Sequence, residues 1–307
     1  MSTRQPSEGT LHRAARVIGQ VGRVLAGRQF AGRNLTVFPD DVFLVSYPRS
    51  GNTWTRFLIG NLVHPDDPVT FANIESLIPE IYFNPDHRMR RLPRPRLLKS
   101  HECFQPHYRR ILYIVRDPRD VAVSFYHHNV KAGNIPDDYP MDDYIPRFLD
   151  AEFDTRWGSW ADHVLSWTLL RQGDPGFLLV RYEDMQRDTL QSLKRIAGFL
   201  QECSLRNDAS PAKLEQAIEL SSPERMRALE KAQSADWVLT KSTRRDKPFV
   251  RAAKTGGWKG VLSPASVAAI EAAWGTVMTK FGYDLESDGR RPTSTSAPTD
   301  GGAPFTN

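Results

Sequence analysis

Short apolar runs alternate along the chain with stretches of helical periodicity. The runs typical of buried strands are Val42–Ser46, Arg96–Lys99, Ile111–Val115 and Phe177–Arg181. Strands buried on both faces read as continuous apolar segments, and helices between them favour a mainly parallel sheet. The pattern therefore predicts a single α/β domain with a central, mainly parallel β-sheet and helices on both sides.

Cap signals indicate where several helices begin. Asp117-Pro118 places a capping carboxylate before a proline at the first helical position, and Ser222-Pro223 and Ser263-Pro264 repeat the arrangement. Asp188 followed by Gln191 resembles a capping box. We expect a helix to start at each of these positions.

The two ends of the chain differ in composition from the middle. No acidic residue occurs from Gly9 to Pro39, where arginines alternate with aliphatic residues. This predicts a basic amphipathic helix in an N-terminal extension over residues 1–35. Such a helix fits an anionic membrane surface, the domain itself or the partner subunit of a homodimer. Residues 287–307 are rich in Pro, Gly, Ser and Thr and are predicted to be disordered, which leaves a domain over 36–286.

Composition narrows the class of protein only slightly. The 307 residues, 40% of them hydrophobic, can bury one large core or two small ones. The net charge of +5 suits nucleic acid, acidic lipid and anionic small ligands alike. No apolar run reaches the roughly 18 residues of a membrane span, and the first residues lack the apolar core of a secretory signal. Cys103 and Cys203 are too few for a disulfide framework and lack metal-site spacing. These features predict a cytoplasmic protein without a metal.

A polar turn, YPRSGNTW at residues 47–54, joins the first predicted strand to a helix. Gly51 permits a tight turn, and the amides at the start of the helix would face an anion. Ser50 and Thr53 add hydroxyl donors, and Arg49 adds a fixed positive charge. An ordinary strand-to-helix turn with polar surface residues has the same composition. The turn nevertheless favours a P-loop-like phosphate site, although it lacks the G-x-x-x-x-G-K-[ST] pattern of nucleotide loops.

The second predicted strand ends in KSHE, which brings Lys99 and His101 to one side of an extended chain. Histidine is the usual general base near neutral pH. His107, His127 and His128 compete for this role with no better local context.

The next two strand ends also carry polar groups. Arg116 ends the third strand and Ser124 lies two turns into the following helix, so both can reach one phosphate above the sheet. Alternatively, Arg116 pairs with Asp117 or Asp120. Tyr182 follows the fourth strand in RYED, a segment that is equally consistent with a helix-capping turn.

These segments, in this order, are completed by VRAAKTGGWKG at 250–260. The chain thereby resembles the PAPS-dependent sulfotransferases from about Val42 to Tyr283. The family transfers a sulfuryl group from 3′-phosphoadenosine 5′-phosphosulfate (PAPS) to a hydroxyl or amine. Its loop reads YPKSGTTW, and residues 47–54 match it at six of eight places. Its 3′-phosphate segment, R-[ND]-P-[KR]-D-V-A-V-S, fits the spacing of Arg116 and Ser124. The resemblance implies a P-loop-like fold, PAPS as donor, PAP as product and neither a metal nor a nucleic-acid partner.

The resemblance also implies a role for each matched position. Arg49 stands where the family has the lysine that contacts the phosphosulfate bridge, and His101 stands where a histidine deprotonates the acceptor, beside Lys99. The implied cofactor-binding residues are Arg49, Ser50, Gly51, Asn52, Thr53, Trp54, Arg116, Ser124, Tyr182, Ser222, Arg251 and Lys254. Two departures bear on cofactor affinity. Arg49 replaces a lysine and will hardly donate a proton, and Ala252-Ala253 replace Lys and Gly.

The predicted function is sulfuryl transfer to a small-molecule, lipid or carbohydrate acceptor by in-line displacement, with His101 as general base. One alternative is a protein that binds PAP or PAPS without turnover. Another is a nucleotide kinase of related fold, which the absence of Lys-Ser/Thr after the loop glycine disfavours. The acceptor pocket is expected to draw on Phe71–Pro85 and Asn129–Phe153, whose Phe, Tyr and Ile residues suit either a partly apolar pocket or ordinary core.

Overall fold

The computed structural model describes residues 31–251 and 255–286. Most of the predicted N-terminal extension, the tail 287–307, Ala252-Ala253 and Lys254 lie outside these residues. Ala31 and Gly32 donate backbone hydrogen bonds to the carbonyls of Asn84 and Ile81, so this end of the extension packs on the domain.

Four parallel strands form the sheet at the centre of the domain. They are β1 (Val42–Ser46), β2 (Leu97–Ser100), β3 (Arg110–Val115) and β4 (Phe177–Arg181). Their order across the sheet is β2-β1-β3-β4, and every neighbouring pair is parallel. The predicted strands are confirmed, although β2 begins and ends one residue later than expected and β3 begins one residue earlier.

Helices follow the strands at the predicted cap positions. Asp117 and Asp188 accept hydrogen bonds from amides in the first helical turn, and so do Ser222 and Ser263. The described helices are α1 (Asn52–Val63), α2 (Ile74–Leu77), α3 (Asp86–Met89), α4 (Pro118–Ala132), α5 (Met141–Leu149), α6 (Trp160–Leu170), α7 (Tyr182–Arg187), α8 (Thr189–Glu202), α9 (Pro211–Leu220), α10 (Pro223–Gln233) and α11 (Pro264–Lys280), with 3₁₀ turns at Gly32–Asn34 and Gly257–Gly260.

The alternation of side chains along the strands divides the core into two layers. Phe43 and Val45 of β1 pack with α4, α5, α6 and α11, whereas Val42 and Leu44 pack with α1, α7, α8 and α9. Helices therefore cover both faces of the sheet, as the apolar strand pattern predicts. Within the described ranges, no helix has the length and apolar character needed to cross a membrane.

This topology positions the candidate site. Because all four strands run in one direction, the polar segments after β1, β2, β3 and β4 meet at one edge of the sheet. A third, smaller cluster around Phe57, Phe71, Trp237 and Phe249 holds part of the chain after α10 against α1.

Candidate active site

A cavity of about 490 Å³ lies at the carboxyl ends of the strands. The predicted site residues that line it are Arg49, Gly51, Asn52, Thr53, Trp54, Lys99, His101, Arg116, Ser124, Tyr182 and Arg251. Two predicted residues are placed differently. Ser50 is buried and does not line the cavity, and the hydroxyl of Ser222 caps α10, next to Pro223, which does line it.

The turn after β1 has the backbone geometry of an anion-binding loop. Gly51 has φ of +94° and precedes α1, which has no side-chain cap, so the first amides of this helix remain available to a ligand. A methyl group at Gly51 would lie 2.2 Å from Cδ2 of Tyr182, so only glycine fits against this ring. The buried Oγ of Ser50 has no hydrogen-bond partner within the described part of the chain.

Three guanidinium groups face the cavity beside this turn. Arg49 donates from Nε to Oγ of Ser124 at 3.2 Å, and Arg116 donates to the Arg49 carbonyl at 3.2 Å. The guanidinium of Arg116 also lies over the Tyr182 ring, 4.4 Å from its centroid. Burial, and then the charges of Arg116 and Arg251, lower the pKa of Arg49 to about 10. A bound anion relieves the repulsion among these guanidinium groups. The three cations therefore indicate a polyanionic ligand.

Asp120 joins the late glycine-rich segment to this cationic wall. Its two carboxylate oxygens accept hydrogen bonds from the amides of Gly256 at 2.8 Å and Trp258 at 3.1 Å. The nearest approach between Arg116 Nη2 and Asp120 Oδ2 is 3.9 Å, so their ion pair is long. Asp120 thus positions the 256–258 backbone beside Arg116. The sequence offered Asp120 only as an alternative partner for Arg116, because its contact with a segment 136 residues away depends on the fold.

The imidazole of His101 is held in one tautomer. Its Nδ1 lies 2.6 Å from the carbonyl oxygen of Ser46, and since a carbonyl only accepts, Nδ1 carries the proton. His163 donates from Nε2 to the His101 carbonyl at 3.0 Å, and Tyr113 donates to Nδ1 of His163 at 2.8 Å. Burial, followed by the charge of Lys99, holds the pKa of His101 well below its usual range. Nε2 therefore keeps a lone pair at neutral pH, and no described residue hydrogen-bonds to it.

Lys99 forms an ion pair with Glu80, a carboxylate that the sequence motifs did not indicate. Its Nζ lies 2.6 Å from Oε1 of Glu80, both side chains are buried, and both line the cavity. Burial lowers the pKa of Lys99 to about 8, although Glu80 acts in the opposite direction. Burial also raises the pKa of Glu80. No motif contains Glu80; a parallel bridge between the backbones of Glu80 and Lys99 brings the two together.

The far wall of the cavity is largely aromatic. Phe71–Pro85 contributes Glu80, Tyr82 and Phe83, as expected. The prediction that Asn129–Phe153 lines the pocket is wrong within the described ranges, since the lining residues come from 154–157 and from the part of α4 before Asn129. The aromatic residues of α5 face the core, where Tyr144 and Phe148 are buried.

Comparison with known proteins assigns the chain to a family. The family described as "Sulfotransferase domain" matches residues 39–282, and the chain therefore belongs to the sulfotransferases. The chain is 33% identical to human sulfotransferase 2B1 over 176 residues (52% of this chain, 46% of the relative). It is 28% identical to dog sulfotransferase 1B1 over 179 residues (53% and 60%). These matches span about half the length of those relatives. Cytosolic sulfotransferase 12 of Arabidopsis thaliana is 26% identical over 280 residues (84% and 82%).

Solved structures show the same fold. A mouse sulfotransferase complexed with PAP superimposes with a TM-score of 0.67 and 25% identity, covering 85% of this chain and 92% of that one. Retinol dehydratase, in complex with androsterone and PAP, gives a TM-score of 0.66 at 20% identity, covering 85% of each chain. The parallel α/β fold predicted from the apolar pattern is confirmed.

Proposed function

We propose that the protein transfers a sulfuryl group from PAPS to a hydroxyl group of a small-molecule acceptor and releases PAP. The observation that carries this proposal is the convergence of Arg49, Arg116 and Arg251 beside His101, whose Nε2 is available as a base. Family membership and the PAP complex of the mouse neighbour support it.

The part of the cavity that would hold the sulfuryl donor fits a nucleotide with phosphate groups at two positions. The amides at the start of α1 and the guanidinium of Arg49 would bind the 5′-phosphate. Arg116, Ser124 and Arg251 would hold the 3′-phosphate, and Trp54 and Tyr182 would contact the adenine. PAPS supplies the activated sulfuryl group together with a stable phosphate leaving group.

The chain's own residues supply positioning and charge. His101 would accept the proton of the acceptor hydroxyl at Nε2, because its Nδ1 proton is committed to Ser46. Arg49 would stabilise the negative charge that develops at the leaving oxygen without donating a proton. Lys99 would add positive charge at the transferred group. The cytoplasmic location, the membrane contact of the N-terminal helix and a homodimer stay predictions.

The direct test combines ligand-induced stabilisation with a transfer assay. We expect PAP, but not ATP, to raise the melting temperature, and labelled PAPS to yield labelled product with a panel of phenols, sterols and lipid extracts. Stabilisation by ATP with magnesium instead of PAP would favour the kinase alternative. Binding of PAP with no labelled product from any acceptor would favour a protein that binds the nucleotide without turnover.

Replacing Asp120 with Asn is expected to weaken PAP binding about tenfold, because an amide in place of the carboxylate loses one of the two backbone hydrogen bonds. Isothermal titration with PAP measures the effect. Asp142→Asn is the matched control, since Asp142 accepts two hydrogen bonds from Ser263 and Ser266 without lining the cavity. Equal PAP affinity in the two variants would contradict the role assigned to Asp120.

Replacing Glu80 with Gln is expected to move the basic limb of the pH–rate profile to lower pH. Glu80 raises the pKa of Lys99, so its removal lowers that pKa further below about 8. The charge of Lys99 is then lost earlier as the pH rises, and the rate at about pH 8 should fall roughly fivefold. The surface variant Glu152→Gln, which loses only an exposed pair with Arg147, should keep the wild-type profile. An unchanged profile in Glu80→Gln would show that transfer does not need a charged Lys99.

A further inference from the structure

Five arginines lie close together in the sequence, just after a segment that lines the cavity. They are Arg88, Arg90, Arg91, Arg94 and Arg96. Arg96 is buried in an ion pair with Asp41, whereas the other four are exposed and form the arginine-rich surface. No acidic residue occurs from position 87 to 101. Surfaces that only contact water usually intersperse both signs of charge, and the steps proposed above do not use this one.

Half of the arginine-rich surface lacks a partner of opposite charge. Two of its members pair with aspartates, with nitrogen–oxygen distances of 3.0 Å for Arg90 and 2.5 Å for Arg94. The side chains of Arg88 and Arg91 form neither an ion pair nor a hydrogen bond with any residue in the described ranges. The surface therefore keeps a net positive charge, which an anionic partner would neutralise.

The other basic segment of the chain joins the domain beside this surface. Residues 9–39 include several arginines and no acidic residue. Near the end of this segment, Ala31 donates a backbone hydrogen bond to the Asn84 carbonyl, and the hydroxyl of Thr36 donates to Asp86 at 2.9 Å. Residues before Ala31 lie outside the described part of the chain, but the backbone joins them to the domain at this point. The positive charges of the two segments therefore add on one side of the domain.

The apolar residues of the N-terminal segment favour a lipid bilayer over nucleic acid as the partner. Leucine, valine and isoleucine alternate with arginine from Leu11 to Leu25, which is typical of segments that lie in a bilayer interface. Clusters of arginine beside such segments bind anionic lipid headgroups. Nucleic-acid surfaces commonly add aromatic side chains for base stacking, and no Phe, Tyr or Trp occurs from position 86 to 96.

The arginine-rich surface also lies next to the cavity along the chain. Tyr82 and Phe83 line the cavity, and α3 begins at Asp86, three residues after Phe83. A bilayer that contacts α3 would therefore lie beside the aromatic wall, where the acceptor is expected.

We propose that the arginine-rich surface and the N-terminal segment together dock the protein on an anionic phospholipid bilayer. The arginines bind the lipid headgroups, and the aliphatic residues of the N-terminal segment enter the interface. This docking does not depend on sulfuryl transfer, so it is tested without an acceptor.

Co-sedimentation of the full chain with vesicles tests the proposal. Vesicles that contain phosphatidylglycerol are compared with vesicles of pure phosphatidylcholine. The wild type is expected to bind the anionic vesicles roughly 100-fold more tightly or better, and to lose this preference at high salt. Arg88→Gln with Arg91→Gln removes the two unpaired charges and should weaken binding to the anionic vesicles roughly 25-fold, about fivefold for each charge.

Arg195→Gln with Arg206→Gln is the matched control, since both arginines are exposed, one on α8 and one after it, and the net charge changes equally. This variant should bind vesicles as the wild type does. Equal weakening in the two double variants would overturn the proposal, and so would equal binding of the wild type to both kinds of vesicle. Tighter binding to a double-stranded oligonucleotide than to the anionic vesicles would also overturn it. PAP affinity should be the same in all three proteins, which separates docking from the proposed function.

Discussion

His101→Asn is expected to lower kcat for sulfuryl transfer about 10²- to 10⁴-fold while leaving PAP affinity within about twofold of the wild type. Asparagine can keep a side-chain N–H for the Ser46 carbonyl, which Nδ1 of His101 now contacts at 2.6 Å. What it removes is Nε2, the only position that is proposed to accept the proton. The substitution therefore separates the base from the structural hydrogen bond. Single-turnover transfer of labelled sulfate and titration with PAP provide the two measurements.

The pH dependence gives an independent check on the same residue. Burial and the Lys99 charge hold the pKa of His101 well below its usual range, so the neutral, basic form persists as the pH falls. Activity that depends on this form is lost only as the pH drops through the lowered pKa. We therefore expect kcat/KM to remain level from about pH 7.5 to about pH 6, where an ordinary histidine would already be protonated.

The exposed His107, replaced with Asn, is the control for both measurements and should show wild-type transfer. Normal transfer by His101→Asn, or an acid limb near an ordinary histidine pKa in the wild type, would refute the assignment of His101 as the base.

The sheet and most of the cavity wall could be predicted from the sequence because one physical constraint determines both. Strands that helices cover on both faces are mostly apolar, which made the buried β1 and the half-buried β4 recognisable from their first residue to their last. Once the strands are parallel, the polar residues after each of them meet at one edge. Arg49, His101 and Arg116 line one cavity for that reason.

Other features of the site depend on contacts that no local pattern encodes. Glu80 lies 19 positions before Lys99 and reaches it only because Pro79 and Ile81 hydrogen-bond to the Lys99 backbone. The Asn129–Phe153 prediction was wrong because aromatic side chains serve a core and a pocket equally well. Tyr144 illustrates this, since its ring packs between Tyr126 and Phe153 in the core.

Gly51→Ala is expected to abolish high-affinity PAP binding, with a loss of roughly 100-fold or more, and to destabilise the fold by about 2–4 kcal/mol. Two effects add. Alanine is strained at φ of +94°, and its methyl group would lie 2.2 Å from the Tyr182 ring. That ring lies beneath the Arg116 guanidinium and meets Trp54 edge-on at 5.7 Å, so its displacement disturbs both sides of the proposed nucleotide site.

Gly133→Ala separates the strain from the clash. Gly133 has a similar φ of +76°, yet an added methyl group meets no atom within 4 Å. It should therefore cost only about 1 kcal/mol and leave PAP binding unchanged. In a Tyr182→Ala background, Gly51→Ala should cost about as little as Gly133→Ala, because the atoms that meet the methyl group are gone. Chemical denaturation and titration with PAP measure both quantities. If Gly51→Ala bound PAP as Gly133→Ala does, the turn after β1 could not be the phosphate-binding loop.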